Sequence, residues 1–409
     1  MIKIVIILIY LSNKVFNAVI DYLNRSYLKK ELPDNVKDVY SEEEYRKFLA
    51  YRTEGRRLSS IKNILSIVFT LALLVFNVYA LLFDAVSGLN EYVQYLLIVV
   101  MFAVFDMLTD MPFEYYDTFV IEEKYGLNKT TKKTFVLDQI KSIVIEIALS
   151  YGYLILIKVL FEKFGNMAII WSTLAVLAIV VVVMLIIVPL MKIFNKFEPL
   201  EEGELKNNIS SMCDKYGIKI KKIVVRDASR RTTTSNAFCT GIGNRKTISF
   251  DDNLINSYSV NEITAVFAHE FAHAKYRHTI KGLPFSIVRI LILFVSLAIV
   301  LNIPALYTAF GFTGVNFYFA TLMSGVIIWP VSKVMDIIGN YLSRKHEFQA
   351  DAFAAREGYG ADLISALKRL NKESLSGINP HPAMVVLSYS HPTLSKRIEA
   401  IEKENLKQV

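Results

Sequence analysis

The chain has 409 residues and a formal net charge of +8; 53% of its residues are hydrophobic, 12% aromatic and 21% charged. With 26 Phe, 22 Tyr and a mean hydropathy of +0.38, it is neither a disordered chain nor a wholly soluble one. The positive charge would suit nucleic acid or the anionic face of a membrane, and the hydropathy decides for the lipid bilayer, with no nucleic-acid partner. Cys213 and Cys239 are too few for a disulfide framework and lack zinc-type spacing.

Apolar runs near the length needed to span a bilayer recur seven times, at roughly 4–22, 64–83, 92–109, 140–161, 167–191, 284–303 and 317–338. Asn13, Lys14 and Asp21 interrupt the first, and no small-x-small cleavage site follows Ile4–Leu11, so it reads as an uncleaved span. Lys and Arg crowd the loop after it, from Arg25 to Arg57, and the loop at 110–139. Asp84–Glu91 and Asn302–Asn316 carry neither, and 162–166 has only Lys163. The positive-inside rule therefore places the N-terminus outside and the C-terminus in the cytoplasm. Asp106, Glu146, Arg289, Lys333 and Asp336 fall inside the spans. A lipid-facing charge there costs at least about 2.5 kcal/mol, so these should face one another or water. Pro330 should kink the last span.

The expected organisation is a membrane region at 1–191, a cytoplasmic segment at 192–283, two further spans at 284–338 and a helical cytoplasmic segment at 339–409. The fold class is mainly α: a polytopic membrane protein with a small cytoplasmic region carrying a short β-hairpin. Ile223–Arg226 is an apolar run, and Ser235–Gly241 and Thr247–Phe250 flank a turn at Gly243–Lys246. Ser259-Val-Asn-Glu262 is a capping box that opens a helix.

Inside that helix lies His269-Glu270-Phe271-Ala272-His273. Residues four apart share a helix face, so both imidazoles can point at one ion, and Glu270 can reach its water without being a ligand. Six histidines in this length give about 0.09 expected His-x-x-x-His pairs, and requiring a carboxylate second lowers that below roughly one in a hundred. One zinc ion per chain is expected. A catalytic zinc takes a third protein ligand. In Ser343–Asp351, Glu347 and Asp351 share a face; Glu347 would bind the metal and Asp351 would hold a ligand histidine or a nearby arginine. Spacing alone leaves an ordinary polar helix equally open. His278 reads as a solvated helix-end residue, His346 points about 100° away from Glu347, and His381 sits in a loop.

Five stretches together resemble the zinc-dependent CAAX prenyl protease family of integral-membrane metalloendopeptidases. They are Phe119–Lys129, Ser235-Asn-Ala-Phe238, His269–His273, Ser343–Asp351 and Ser390-His-Pro-Thr-Leu-Ser-Lys-Arg397. The resemblance implies seven transmembrane helices around a water-filled intramembrane chamber. It also implies zinc on His269, His273 and Glu347, Glu270 as base, Asn236 at the substrate, and His391 and Arg397 lining the site. The peptide, whose prenylation the sequence leaves open, should lie extended along the Ser235–Gly241 edge, against Ser235, Asn236 and Ala237. His391, whose backbone Pro392 restricts, is a candidate donor to the developing oxyanion, and Arg397 would brace the site through Asp351.

Two rivals remain at this point: an HtpX-like quality-control protease, and a non-catalytic metal-binding transporter or receptor. The intact Glu270 argues against the second, since binding alone needs no base. The compact chain without an ER-retrieval tail at Asn405–Val409 points to a prokaryotic cell membrane, with the ER membrane expected in a eukaryote.

Overall fold

Apolar runs of spanning length can satisfy their backbone in lipid only as helices or closed barrels, and this chain takes the helical solution. The computed structural model describes residues 1–28, 30–240 and 246–407. In chain order, the membrane half contains α1 (Ile2–Tyr27), α2 (Glu42–Val75), α3 (Glu91–Tyr116), α4 (Lys132–Phe164) and α5 (Ala168–Met191). It is followed by α6 (Glu204–Lys215), α7 (Val260–Lys275), α8 (His278–Leu301), α9 (Phe317–Ala354), α10 (Gly360–Glu373) and α11 (Leu394–Asn405).

Among the described residues, six helical stretches are long and apolar enough to cross a membrane, and at most 22% of any spanning window is buried inside the chain. Leu8, Val68, Leu149, Leu174, Val182 and Ile299 are all exposed. Apolar surface on this scale needs a non-aqueous cover. One of the six stretches, Lys132–Met191, holds both α4 and α5. Gly165, at φ +52°, ends α4, and a 3-10 turn at Gly165–Met167 leads into α5. L side chains rarely adopt that conformation, so glycine is what permits the break.

Two hydrophobic cores organise the chain. One gathers Phe83, Tyr95, Phe294, Tyr307 and Phe319 among the apolar helices; the other gathers Phe48, Phe250, Phe267, Phe271, Phe353 and Ile401. Helix α9 belongs to both, through Phe319 and Met323 near its start and Phe353 and Ala354 at its end. It runs 38 residues, unbroken through Pro330, for about 57 Å at 1.5 Å per residue. The charges expected inside the spans do meet partners or space. Asp336 lies 3.1 Å from Arg289 and 3.8 Å from Lys333, while Asp106 and Glu146 line a cavity of about 260 Å³ with Tyr153 and Thr321.

The two segments expected to form a hairpin pair within a larger sheet. Strands β1 (Phe197–Pro199), β2 (Lys222–Arg226), β3 (Ala237–Thr240) and β4 (Thr247–Asp251) form a four-stranded sheet in the order β1-β2-β4-β3. β3 and β4 pair antiparallel, Ala237 opposite Phe250 and Thr240 opposite Thr247. The turn expected at Gly243–Lys246 falls largely on residues 241–245, outside the described residues. β2 inserts on the other side of β4 in parallel, so β3 is a terminal strand with one edge unpaired by any described strand.

Helix α7 lies against β3 and against α9. Ile263, Ala265, Val266, Phe267, Ala268, Phe271 and Ala272 are all buried, so this helix is apolar nearly all round and sits at the centre of its core. Its entry is fixed by the capping box: Ser259 Oγ accepts from the Glu262 amide at 3.2 Å and Glu262 Oε2 accepts from the Ser259 amide at 2.9 Å. Ser259→Ala should lower stability by about 1 kcal/mol, read as a lower thermal midpoint, while Ser259→Asp should hold it.

Candidate metal centre

Helices α7 and α9 each offer two polar side chains one turn apart: His269 and His273 on the first, Glu347 and Asp351 on the second. Where the helices meet, three side chains converge. His269 Nε2 is 3.3 Å from His273 Nε2 and 3.4 Å from Glu347 Oε2, and His273 Nε2 is 3.4 Å from Glu347 Oε1. These three residues form a group whose ligand atoms all lie within 4.8 Å of one another. A tetrahedral zinc with bonds of about 2.0–2.1 Å separates its ligands by about 3.3–3.4 Å, so the spacing fits that ion. Glu347 Oε2 is buried and has no hydrogen-bond partner in the protein, which leaves it for a cation.

The surroundings press the same way. His269 Nδ1 donates to Asp351 Oδ1 at 2.9 Å, which turns its Nε2 lone pair towards the cluster. Asp351 is fully buried and receives Arg397 through two bonds of 2.6 and 2.8 Å. Burial works against charge on His269, yet its hydrogen bond to Asp351 and the neighbouring Glu347 carboxylate raise it to about 9. Burial, reinforced by the charge of His269, takes His273 down to about 3. A site that draws a proton onto one buried imidazole is a site short of positive charge, and a metal ion supplies it.

Glu270 sits beside this cluster without entering it. Burial pushes its carboxyl above the ordinary range, opposed by His269, and the Cys239 amide of β3 also acts on it. A raised carboxyl suits an acid–base role. His391 Nε2 approaches Glu347 Oε1 at 3.5 Å with its ring mostly exposed, and Ser390 Oγ meets its other nitrogen at 2.9 Å. It lines a cavity of about 480 Å³ together with Tyr51, Arg52, Tyr389, Thr393 and Arg397.

The substrate candidates stand at the start of β3, whose outer edge no described strand pairs. Asn236 is exposed, its Oδ1 accepting from the Ala237 amide at 2.8 Å, and Ser235 donates to Glu373 at 3.1 Å. The Phe119–Lys129 stretch braces the approach to this strand: Lys129 N–H donates to the Arg231 carbonyl, and the Leu127 carbonyl accepts from Thr233.

Three histidines behave differently from a plain sequence reading. His278, expected in solvent, is 5% exposed, because the chain breaks at Arg277 and folds α8 back beside α7. Its ring stacks on that of His346 at 4.0 Å and 6°. His381 caps the short helix Pro382–Ser388, its Nδ1 accepting from the Ala383 amide at 3.0 Å. Arg231, which the motifs did not single out, ties α4 to the sheet region through Asp138 at 2.8 Å.

Long apolar helices around a His-Glu-x-x-His helix and a distant glutamate define a membrane-embedded metalloprotease. The comparisons agree. Residues 23–196 match the family profile described as CAAX prenyl protease N-terminal, five membrane helices, and residues 199–405 match that of peptidase family M48. CAAX prenyl protease 1 of Saccharomyces cerevisiae is 31% identical over 402 residues, covering 91% of this chain and 88% of that one. The CAAX prenyl protease 1 homolog of Arabidopsis thaliana is 31% identical over 411 residues, 96% of each. The crystal structure of S. mikatae Ste24p superposes with a TM-score of 0.92 at 29% identity, covering 98% of this chain and 99% of that one. The chain belongs to peptidase family M48, and within it to the CAAX prenyl protease type. The transporter or receptor alternative falls with that result.

Arg397 offers a stability test. Replacing it with Met leaves the fully buried Asp351 charge without its partner, which should cost about 3–5 kcal/mol. Thermal unfolding of the purified protein measures this, and the double variant with Asp351→Leu should recover part of the loss.

Proposed function

We propose that the chain is a zinc-dependent endopeptidase that cleaves an extended peptide near the C-terminus of a prenylated protein. The convergence of His269 Nε2, His273 Nε2 and Glu347 at 3.3–3.4 Å, with Glu270 beside it, carries the reading. In it, these three side chains hold one zinc ion. Bound there, zinc supplies Lewis-acid polarisation of the scissile carbonyl and a lowered pKa for the attacking water. Glu270 takes that water's proton and hands it to the leaving amine. His391, 3.5 Å from Glu347, would donate to the carbonyl oxygen as negative charge builds. Asp351 and Arg397 hold His269 in its ligating tautomer.

The peptide pairs with the free edge of β3, main chain to main chain, with Ser235, Asn236 and Ala237 at its entry. Main-chain pairing tolerates many side chains. The name of the similar yeast protein, CAAX prenyl protease 1, supports a prenylated substrate, and the match of residues 23–196 to the N-terminal domain of that family favours it over an HtpX-like role.

In the same reading, α4 and α5 cross the bilayer separately, so that seven spans enclose a wet chamber. The divisions at 192, 284 and 339 separate membrane from cytoplasmic segments. The N-terminus lies outside and the C-terminus in the cytoplasm, in the cell membrane of a prokaryotic host or the ER membrane of a eukaryotic one.

Glu270→Gln should keep zinc and lose cleavage of a farnesylated peptide, while Glu347→Ala should lose both. Metal analysis of the two purified variants decides it: full zinc in Glu347→Ala would remove that residue from the ligand set. His391→Ala should bind zinc normally and keep KM within a few-fold, with kcat down by about 10²–10³. For topology, single cysteines placed in 84–91 and at Lys403 should label oppositely with an impermeant reagent. Labelling of both from outside would overturn the orientation.

A further inference from the structure

We propose that His278 and Gln349 are positioning residues that fix His273 in the tautomer able to ligate metal. The proposal rests on the zinc reading above and concerns the one proposed ligand histidine that no carboxylate backs.

Arg277, a non-glycine residue at φ +56° and ψ +39°, breaks the chain between α7 and α8. That conformation costs an L residue roughly 1–2 kcal/mol, so it is held by what it achieves nearby. The break brings His278, the first residue of α8, back beside His273, with 3.0 Å between their Nδ1 atoms. His278 Nε2 in turn meets Gln349 Oε1 at 3.1 Å. His346 and Gln349, three apart on α9, face the same imidazole, His346 stacking flat on it at 4.0 Å while Gln349 takes its edge.

The direction of the protons follows. An amide oxygen only accepts, so His278 carries its proton on Nε2. A neutral imidazole has one N–H, so His278 Nδ1 is an acceptor and His273 Nδ1 must donate to it. His273 Nε2 is then left with its lone pair, facing His269 Nε2 and Glu347 at 3.3 and 3.4 Å. Reversing the Gln349 amide would reverse every bond in the chain and put an N–H where the metal belongs. The two ligand histidines are thus backed differently: His269 by an anion with its own arginine, and His273 by a neutral relay ending in an amide. Helix α9 supplies both supports, Asp351 for one histidine and Gln349 for the other.

The test sets two substitutions of His278 against each other in the full-length purified protein, reading zinc affinity by competition with a chromophoric chelator and the melting temperature of the metal-free protein. His278→Phe keeps the ring on His346 but removes the acceptor; His278→Gln keeps an acceptor but loses the ring. The relay predicts zinc binding weakened about 10–100-fold in the Phe variant and largely retained in the Gln variant. A space-filling role predicts the reverse. Gln349→Met, at an exposed position where folding is not at stake, should weaken zinc in the same direction as the Phe variant. The Met side chain supplies no strong acceptor for the His278 Nε2 proton, so it removes the end point of the relay. Unchanged affinity in both His278→Phe and Gln349→Met, or equal weakening in the Phe and Gln variants of His278, would overturn the relay. Absence of zinc binding by the unaltered chain would instead strike the metal reading itself, and the relay with it.

Discussion

Two imidazole lone pairs 3.3 Å apart, each 3.4 Å from one oxygen of the same buried carboxylate, repel one another unless positive charge lies among them. Much of the rest of the molecule keeps them there. The capping box fixes where α7 begins, so that His269 and His273 emerge one turn apart towards α9. The buried Asp351–Arg397 pair ties α9 to α11 and holds His269 at the same time. The arrangement is costly without a metal, since it buries charged and polar groups that need a cation to balance them. A scaffold this densely packed around α7 resists the relaxation that would separate the donors.

The same helices join chemistry to membrane. Helix α9 starts in the apolar cluster with Phe319 and finishes in the other core with Phe353, and α2 likewise passes from Phe48 to Leu74. The metal centre therefore takes Glu347 from the far end of a membrane helix and its two histidines from α7, against which β3 packs. An edge strand left open would ordinarily invite aggregation. In the proposed function, this edge takes the peptide instead.

How much of this the sequence disclosed depends on how local each feature is. The His-x-x-x-His spacing, the Ser259–Glu262 box and the long apolar runs are set by neighbours within a turn or two, and each could be read directly. Glu347 and Asp351 showed their shared face but not their target, because their partners lie 78 and 82 positions away, which is the separation from His269. The bracing of Asp351 by Arg397 was expected although spacing could not show it, and it forms where α11 packs against α9. The sheet was underestimated for two reasons. β1 is three residues long and contains Pro199, and the parallel pairing of β2 with β4 leaves no turn signal between them. His278 was misjudged because Tyr276-Arg277 contains neither glycine nor proline to announce a chain reversal. In the long helical stretch Lys132–Met191, only Gly165 marked the break.

The length of α9 has a further consequence. From Phe317 to Glu347 the helix rises about 45 Å, half as much again as a hydrocarbon layer of about 30 Å. It works as a ruler with the third donor near one end and the apolar cluster at the other. The depth of the reaction is thereby referred to the bilayer, at a height counted in helical turns. Under the proposed function, a prenylated substrate moored in the same lipid would be measured from the same zero. A bilayer thinned or thickened by a few ångströms would shift where cleavage falls relative to the membrane surface, while the distances among the three donors stayed as they are.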